Sequence, residues 1–259
     1  MKAPAVVPKV LVGLALGLAL ALQVQADEVE EYLQKGNDLY CTHHLAPGRI
    51  EESVQWYERA LSLRPDEYSI LWKLSEICQV HGTLLGETEK ARKTALWEKG
   101  IEYGRRAVEV NPDGKEGHFY YMANLGALAR LQGALSSVWK FRKIRREMDR
   151  ALKLDPEFPP ALVARAQYLT EMPGIFGGDD QEAMRLYQHA LESDPGYVIA
   201  YYYMAELDTR KGRYEEAIAK LNKVLEPKEA GCKANWSTID RPWAQSLLRQ
   251  ILAEKASRE

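Results

Sequence analysis

The feature that most constrains this chain is a phrase it repeats four times. Arg59-Ala-Leu-Ser-Leu-Arg-Pro65, Arg106-Ala-Val-Glu-Val-Asn-Pro112, Arg150-Ala-Leu-Lys-Leu-Asp-Pro156 and His189-Ala-Leu-Glu-Ser-Asp-Pro195 share a small alanine, apolar neighbours and a terminal proline. A small residue lets two helices approach, the apolar neighbours fill the seam, and proline stops the helix because it lacks an N–H and clashes with the preceding turn. Each copy therefore closes a helical hairpin. A hairpin of this size cannot bury its apolar face alone, so successive copies must stack and share one continuous core, as a solenoid does.

The closing prolines lie 47, 44 and 39 residues apart, against about 34 for an ideal tetratricopeptide repeat, which this pattern otherwise resembles. We assign the excess to lengthened helices and enlarged turns, because the closing phrase keeps its length. Strand signals are nearly absent, with no Asn-Gly hairpin turn and no sustained alternation of β-branched residues. The expectation is an all-α fold, a tetratricopeptide-type right-handed helical solenoid of about five hairpins plus a C-terminal capping helix. Its units fall at about 28–65, 66–112, 113–156, 157–195 and 196–227, with a loop and cap helix over 228–259, all within one domain spanning 27–259. Within them we expect a polar insertion from Gly82 to Lys93, a long basic helix from Ser137 to Leu154, a glycine-rich turn Pro173-Gly-Ile-Phe-Gly-Gly-Asp179, and Asp240 as the N-cap of the last helix with Pro242 in its first turn. Unit five is the most regular: Ala183 to Ala217 is 34 residues, and Tyr201, Met204 and Ala205 take the large, large and small positions.

Residues 1–26 carry Lys2 and Lys9, an apolar run from Val10 to Leu22, and Val24-Gln25-Ala26 before an acidic stretch. This is the layout of a cleaved secretory signal peptide. The apolar run is well short of the roughly 20 residues needed to cross a bilayer. The expected location is periplasmic or secreted, after cleavage near Ala26. Without the leader, 33 basic residues stand against 37 acidic ones, an excess of −4; general nucleic-acid binding needs a strongly basic face instead.

No Gly-x-Ser-x-Gly, P-loop, Gly-x-Gly-x-x-Gly or His-Glu-x-x-His motif occurs, so we expect no enzyme and no cofactor. The acidic pairs Glu215-Glu216 and Asp179-Asp180 stand at helix starts, where they complement the helix dipole. The run Lys140-Phe-Arg142-Lys143-Ile-Arg145-Arg146 reads as a solvated face, or else as an attractor of an acidic partner or anionic ligand. The first helices of tetratricopeptide hairpins line the concave face, and that register places Trp72, Glu76, Tyr120, Asn124, Gln167, Tyr202 and Glu206 near the groove. Tyr and Trp combine contact area with a polar tip, which suits recognition. His118 is either a groove residue beside Tyr120 and Tyr121 or a packed histidine, and Asn124 either ties hairpins together or faces the groove.

Cys41 and Cys78 sit near the ends of the first helices of units one and two. Three readings stand: a disulfide between them, a zinc site with His43, His44 and His81, or two packed thiols. Cys232 is expected to be unpaired in each.

The run Trp97-Glu-Lys-Gly-Ile-Glu-Tyr-Gly-Arg-Arg-Ala107, then Gly117-His118-Phe-Tyr-Tyr, Asn124-Leu-Gly126 and the Pro173 to Asp179 turn resemble two related groups over about Glu67 to Leu225. One is the tetratricopeptide T component of TRAP-type transporters and the other is the regulator-of-microtubule-dynamics family. The first resemblance implies a non-enzymatic periplasmic adaptor that forms oligomers, binds a solute-binding subunit as its protein partner and helps handle a small organic anion. The alternative is a peptide-binding scaffold in cell-envelope assembly.

Overall fold

The computed structural model describes residues 9–133 and 138–257. Helices α1 (Lys9–Cys41) and α2 (Arg49–Leu63) form the first hairpin, followed by α3 (Tyr68–Leu84) with α4 (Lys90–Val110), α5 (Lys115–Gln132) with α6 (Val138–Leu154), α7 (Pro159–Glu171) with α8 (Asp180–Ser193), and α9 (Ile199–Arg210) with α10 (Tyr214–Leu225). No strand occurs among the described residues. Residues 1–8 of the expected leader, Ser137, and the side chain of Lys140 lie outside the described residues. Backbone of the leader from Lys9 onward is continuous with α1. Among the described residues no helix is long and apolar enough to cross a membrane.

The repeated alanines act as the sequence implies. Ala60, Ala107, Ala151 and Ala190 are all fully buried at the ends of the second helices, and the N–H of the residue four further on, as at Arg64, Asn111, Asp155 and Asp194, donates to the alanine carbonyl. Asp179 caps α8, its carboxylate accepting from the backbone of Gln181 at 2.9 Å and Glu182 at 3.0 Å. Those bonds hold its carboxyl below the usual range. Gly177, in the turn before it, takes φ of 91°, a conformation that favours glycine.

Two expectations about boundaries are corrected. The insertion begins after Leu84, not at Gly82, because α3 continues: a Cβ on Gly82 would meet the Trp97 indole nitrogen at 2.3 Å, so this glycine admits the α4 tryptophan rather than ending a helix. The cap also begins earlier than Asp240. A helical turn α11 (Lys233–Asn235) runs into a π turn (Trp236–Asp240) and then α12 (Arg241–Ala256) without a break. Asp240 has helical φ and ψ, and its side chain makes no capping bond, since no helix starts there.

α12 covers α10, as a terminal cap must. The segment before it does more: α11 reaches α1 and the turn His43–Leu45, while the π turn touches α3 and α9. The end of the chain thus returns to its first hairpin and closes the concave side of the solenoid.

Candidate functional site

The returning segment borders a part-open cavity of about 980 Å³. Its walls come from α3 to α7, the start of α9 and the returning segment, with Glu76, Tyr120, Gln167, Tyr197, Tyr203 and Asp240 among them. Volumes of this order match small-molecule sites of roughly 300–1,000 Å³.

At its centre is a carboxylate that neighbouring hydroxyls converge on. Glu76 accepts from the Lys73 ammonium at 2.7 Å and the Tyr40 hydroxyl at 3.1 Å. The Tyr120 phenol is pushed well up by burial and by Glu76, Tyr40 and Tyr197, so these groups crowd together. Tyr120 stacks on Trp72, ring centroids 5.9 Å apart and planes 9° from parallel. The Tyr197 phenol is raised by burial and then by Tyr203, Asp240 and Glu76. Its position is set by the Pro195-Gly196 turn, whose Gly196 carbonyl accepts from the Gly231 amide at 2.9 Å, tying the returning loop to the body.

Of the groove residues expected from the sequence, Glu76, Tyr120 and Gln167 line the cavity, and Trp72 backs Tyr120. Tyr202 and Glu206 do not. The neighbouring Tyr203 takes the wall position, while Tyr202 packs against Trp243 of α12 at 5.7 Å and Glu206 is exposed on α9 outside the lining. His118 is buried, with Nδ1 2.6 Å from Glu147 and Nε2 2.9 Å from the Pro112 carbonyl. It is a packed histidine, because α6 supplies a buried carboxylate opposite it. Asn124 is fully buried and bonds the Ser75 carbonyl at 3.0 Å, the Ser75 hydroxyl at 3.1 Å and the Tyr120 carbonyl at 2.8 Å. It ties α3 to α5 and is not among the residues lining the cavity.

Cys41 and Cys78 are not bonded to each other. Cys41 is exposed, its thiol 3.8 Å from Asn37 Oδ1, whereas Cys78 is enclosed in the core and its thiol is pushed up to about 12 by burial. Among the described residues no group of three or more His, Cys, Asp or Glu is placed to hold a metal. His43 turns instead to the returning segment. The basic run is largely occupied by its own helix: Lys143 lies 2.8 Å from Glu147 and Arg145 3.7 Å from Asp149.

Sequence reasoning missed Tyr40, Tyr197, Asn235 and Asp240. Tyr197 carried a signal, an aromatic directly after a closing Pro-Gly; Asp240 has the composition of a cap that does not form.

The fold and this site define a tetratricopeptide protein. A tetratricopeptide repeat model matches residues 178–230, and a crystal structure of a thermophilic tetratricopeptide protein from Thermus thermophilus superposes with a TM-score of 0.62 at 21% identity, covering 85% of this chain and 99% of that one. MamA 41-end from Desulfovibrio magneticus aligns with a TM-score of 0.43 at 12% identity over 76% of this chain and 93% of that one. The family model described as Regulator of microtubule dynamics protein 1-3 matches residues 40–170, and the chain belongs to that family. The Bos taurus Regulator of microtubule dynamics protein 1 is 24% identical over 131 residues, 50% of this chain and 38% of that protein. The match thus spans little more than a third of the relative's length.

Proposed function

We propose that this chain is a non-enzymatic adaptor that works outside the cytoplasm after loss of residues 1–26, presenting its helical surface to a partner protein while its concave side holds a small molecule. The partner in this reading is the solute-binding subunit of a TRAP-type transporter. The observation that carries it is the ligand-sized cavity between the solenoid and the returning segment. An open tetratricopeptide groove suits an extended peptide; here residues 231–243 occupy part of that path, which supports solute handling over a peptide scaffold. The bovine relative's name concerns microtubule dynamics. The stretch it shares is the helical repeat, a partner-binding module in either setting.

The test is capture. A tagged chain cross-linked in an envelope extract should recover a solute-binding protein, and the double variant Tyr202→Ala, Glu206→Lys, which alters exposed and half-exposed positions of α9, should lose it while far-UV circular dichroism stays unchanged. Recovery of assembly factors alone would transfer the chain to the scaffold reading.

A further inference from the structure

Asp240 ends the π turn on the cavity wall with no capping bond and no hydrogen-bond or ion-pair partner among the described residues. Burial alone, with no neighbouring charge to offset it, pushes its carboxyl up to about 6. Single π turns within α-helices are rare and recur at functional sites. One turn earlier, Asn235 also lines the cavity. The Tyr40 hydroxyl gives its one hydrogen to Glu76, so it accepts from Asn235 Nδ2 at 3.4 Å, which fixes the amide and leaves Oδ1 buried and unpartnered.

Asp240 therefore lines the cavity as a carboxylate without an ionic partner, while the unpartnered Asn235 Oδ1 is closed off from that space. Buried polar groups need partners, and buried charges need opposite ones. The other wall carboxylate, Glu76, is already served by Lys73 and Tyr40. Of the cavity's cations, Lys93 lies 5.9 Å from the Trp97 ring and Arg130 of α5 acts on the Tyr203 hydroxyl, so neither is the partner of Asp240. An anion, the solute class implied by resemblance, would be repelled by Asp240. A protonated amine supplies three donors, no acceptor and the missing charge, and Tyr197, Tyr203 and Trp243 offer aromatic surface for a cation and its apolar body.

We propose that the cavity is a binding site for a small organic amine, its ammonium paired with Asp240, its body against Tyr197, Tyr203 and Trp243. The adaptor reading shares the cavity but not the test. A chain that captures no solute-binding protein can still bind the amine, and capture without amine binding leaves the adaptor reading standing.

Isothermal titration of the full chain with phenethylamine, 3-phenylpropionate and 3-phenylpropan-1-ol decides it. The amine should bind and the carboxylate should not. Asp240→Asn should weaken the amine roughly tenfold or more, as loss of one partner of a desolvated ion pair does, and the charge-matched exposed variant Glu192→Gln should leave it unchanged. Failure of the amine to bind at millimolar concentration, equal binding of the carboxylate, or unchanged affinity in folded Asp240→Asn would each overturn the proposal. Binding of lysine-containing peptides but not of free amines would do the same. Should Asp240→Asn misfold, the wild-type selectivity among the three probes carries the decision.

Discussion

His43 Nε2 meets the Thr238 hydroxyl at 3.1 Å across 195 residues of chain. The Tyr40 carbonyl, 2.7 Å from Nδ1, can only accept, so Nδ1 bears the hydrogen and burial favours the neutral imidazole. The contact of His43 with Thr238 and the Asn235 bond to Tyr40 hold the last segment onto the first hairpin.

That closure can be read with thiols. Cys41 is exposed and Cys232 half-buried, and Cys232 is close enough that, after burial, it is the next influence raising the Cys41 thiol. A short bismaleimide at mildly alkaline pH should link Cys41 to Cys232 within one chain, and peptide mass spectrometry should show the link vanish in urea. Thr238→Val combined with Asn235→Leu should lower its yield. A Cys41–Cys78 product would mean the chain end is not seated as described.

Asp240 predicts an unusual pH response. Its folded carboxyl titrates near 6 against an ordinary 3.8, so the folded state holds the proton across that interval and stability falls as pH rises through it. Above it, the unpaired charge costs roughly 3 kcal/mol. Asp240→Asn should therefore be more stable than wild type by roughly 1–3 kcal/mol at about pH 8 and equal to it near pH 4, by urea denaturation at each pH. Such a sacrifice of stability is typical of binding residues. Equal stability at both pH values would mean that the carboxylate is already satisfied.

Much of the solenoid was legible because its signals are local. The alanine of each closing phrase is buried and its proline follows a helix end within a residue or two, since both effects act through neighbouring turns. The site was less legible. Tyr202 and Tyr203 differ by about 100° around a helix, finer than a repeat register projected onto an irregular period can resolve. Gly82 read as a turn signal, although what it serves is Trp97 in another helix. Asp240 followed by Pro242 has the composition of a cap, but the preceding residues already continue the helix. Nothing near Trp236 announces that this segment will cross to α1, because the contacts that seat it lie at the far end of the chain.

His118 and Glu147 form a structural pair, and their removal should show it. Burial would raise the Glu147 carboxyl, but bonds from His118 and Lys143 outweigh it and hold the group at about 2. Its contribution is present above the ordinary carboxylate range and is lost as pH falls towards 2. His118→Ala leaves Glu147 with Lys143 alone among its strong partners and should cost roughly 2–4 kcal/mol, with acid unfolding starting at higher pH than in wild type. Amine affinity should not change. A loss of affinity in the folded variant would return His118 to the site.

Gly100 gives the most direct packing test. The Ser75 hydroxyl donates to the Gly100 carbonyl at 2.7 Å, and Asn124 Nδ2 reaches the same hydroxyl at 3.1 Å, so α3, α4 and α5 are joined at one point. A Cβ on Gly100 would lie 2.3 Å from Asn124 Oδ1. Asn124 is held by three bonds and cannot swing away, so Gly100→Ala should cost roughly 1–3 kcal/mol by overpacking, despite alanine's better helix propensity. Asn124→Ala removes the obstructing amide along with its bonds. In that background Gly100→Ala should cost less by roughly 1 kcal/mol or more, a coupling that a double-mutant cycle of urea midpoints measures directly. Additive costs would show that the two helices separate to admit the methyl group and that the Asn124 amide is not what fixes their spacing.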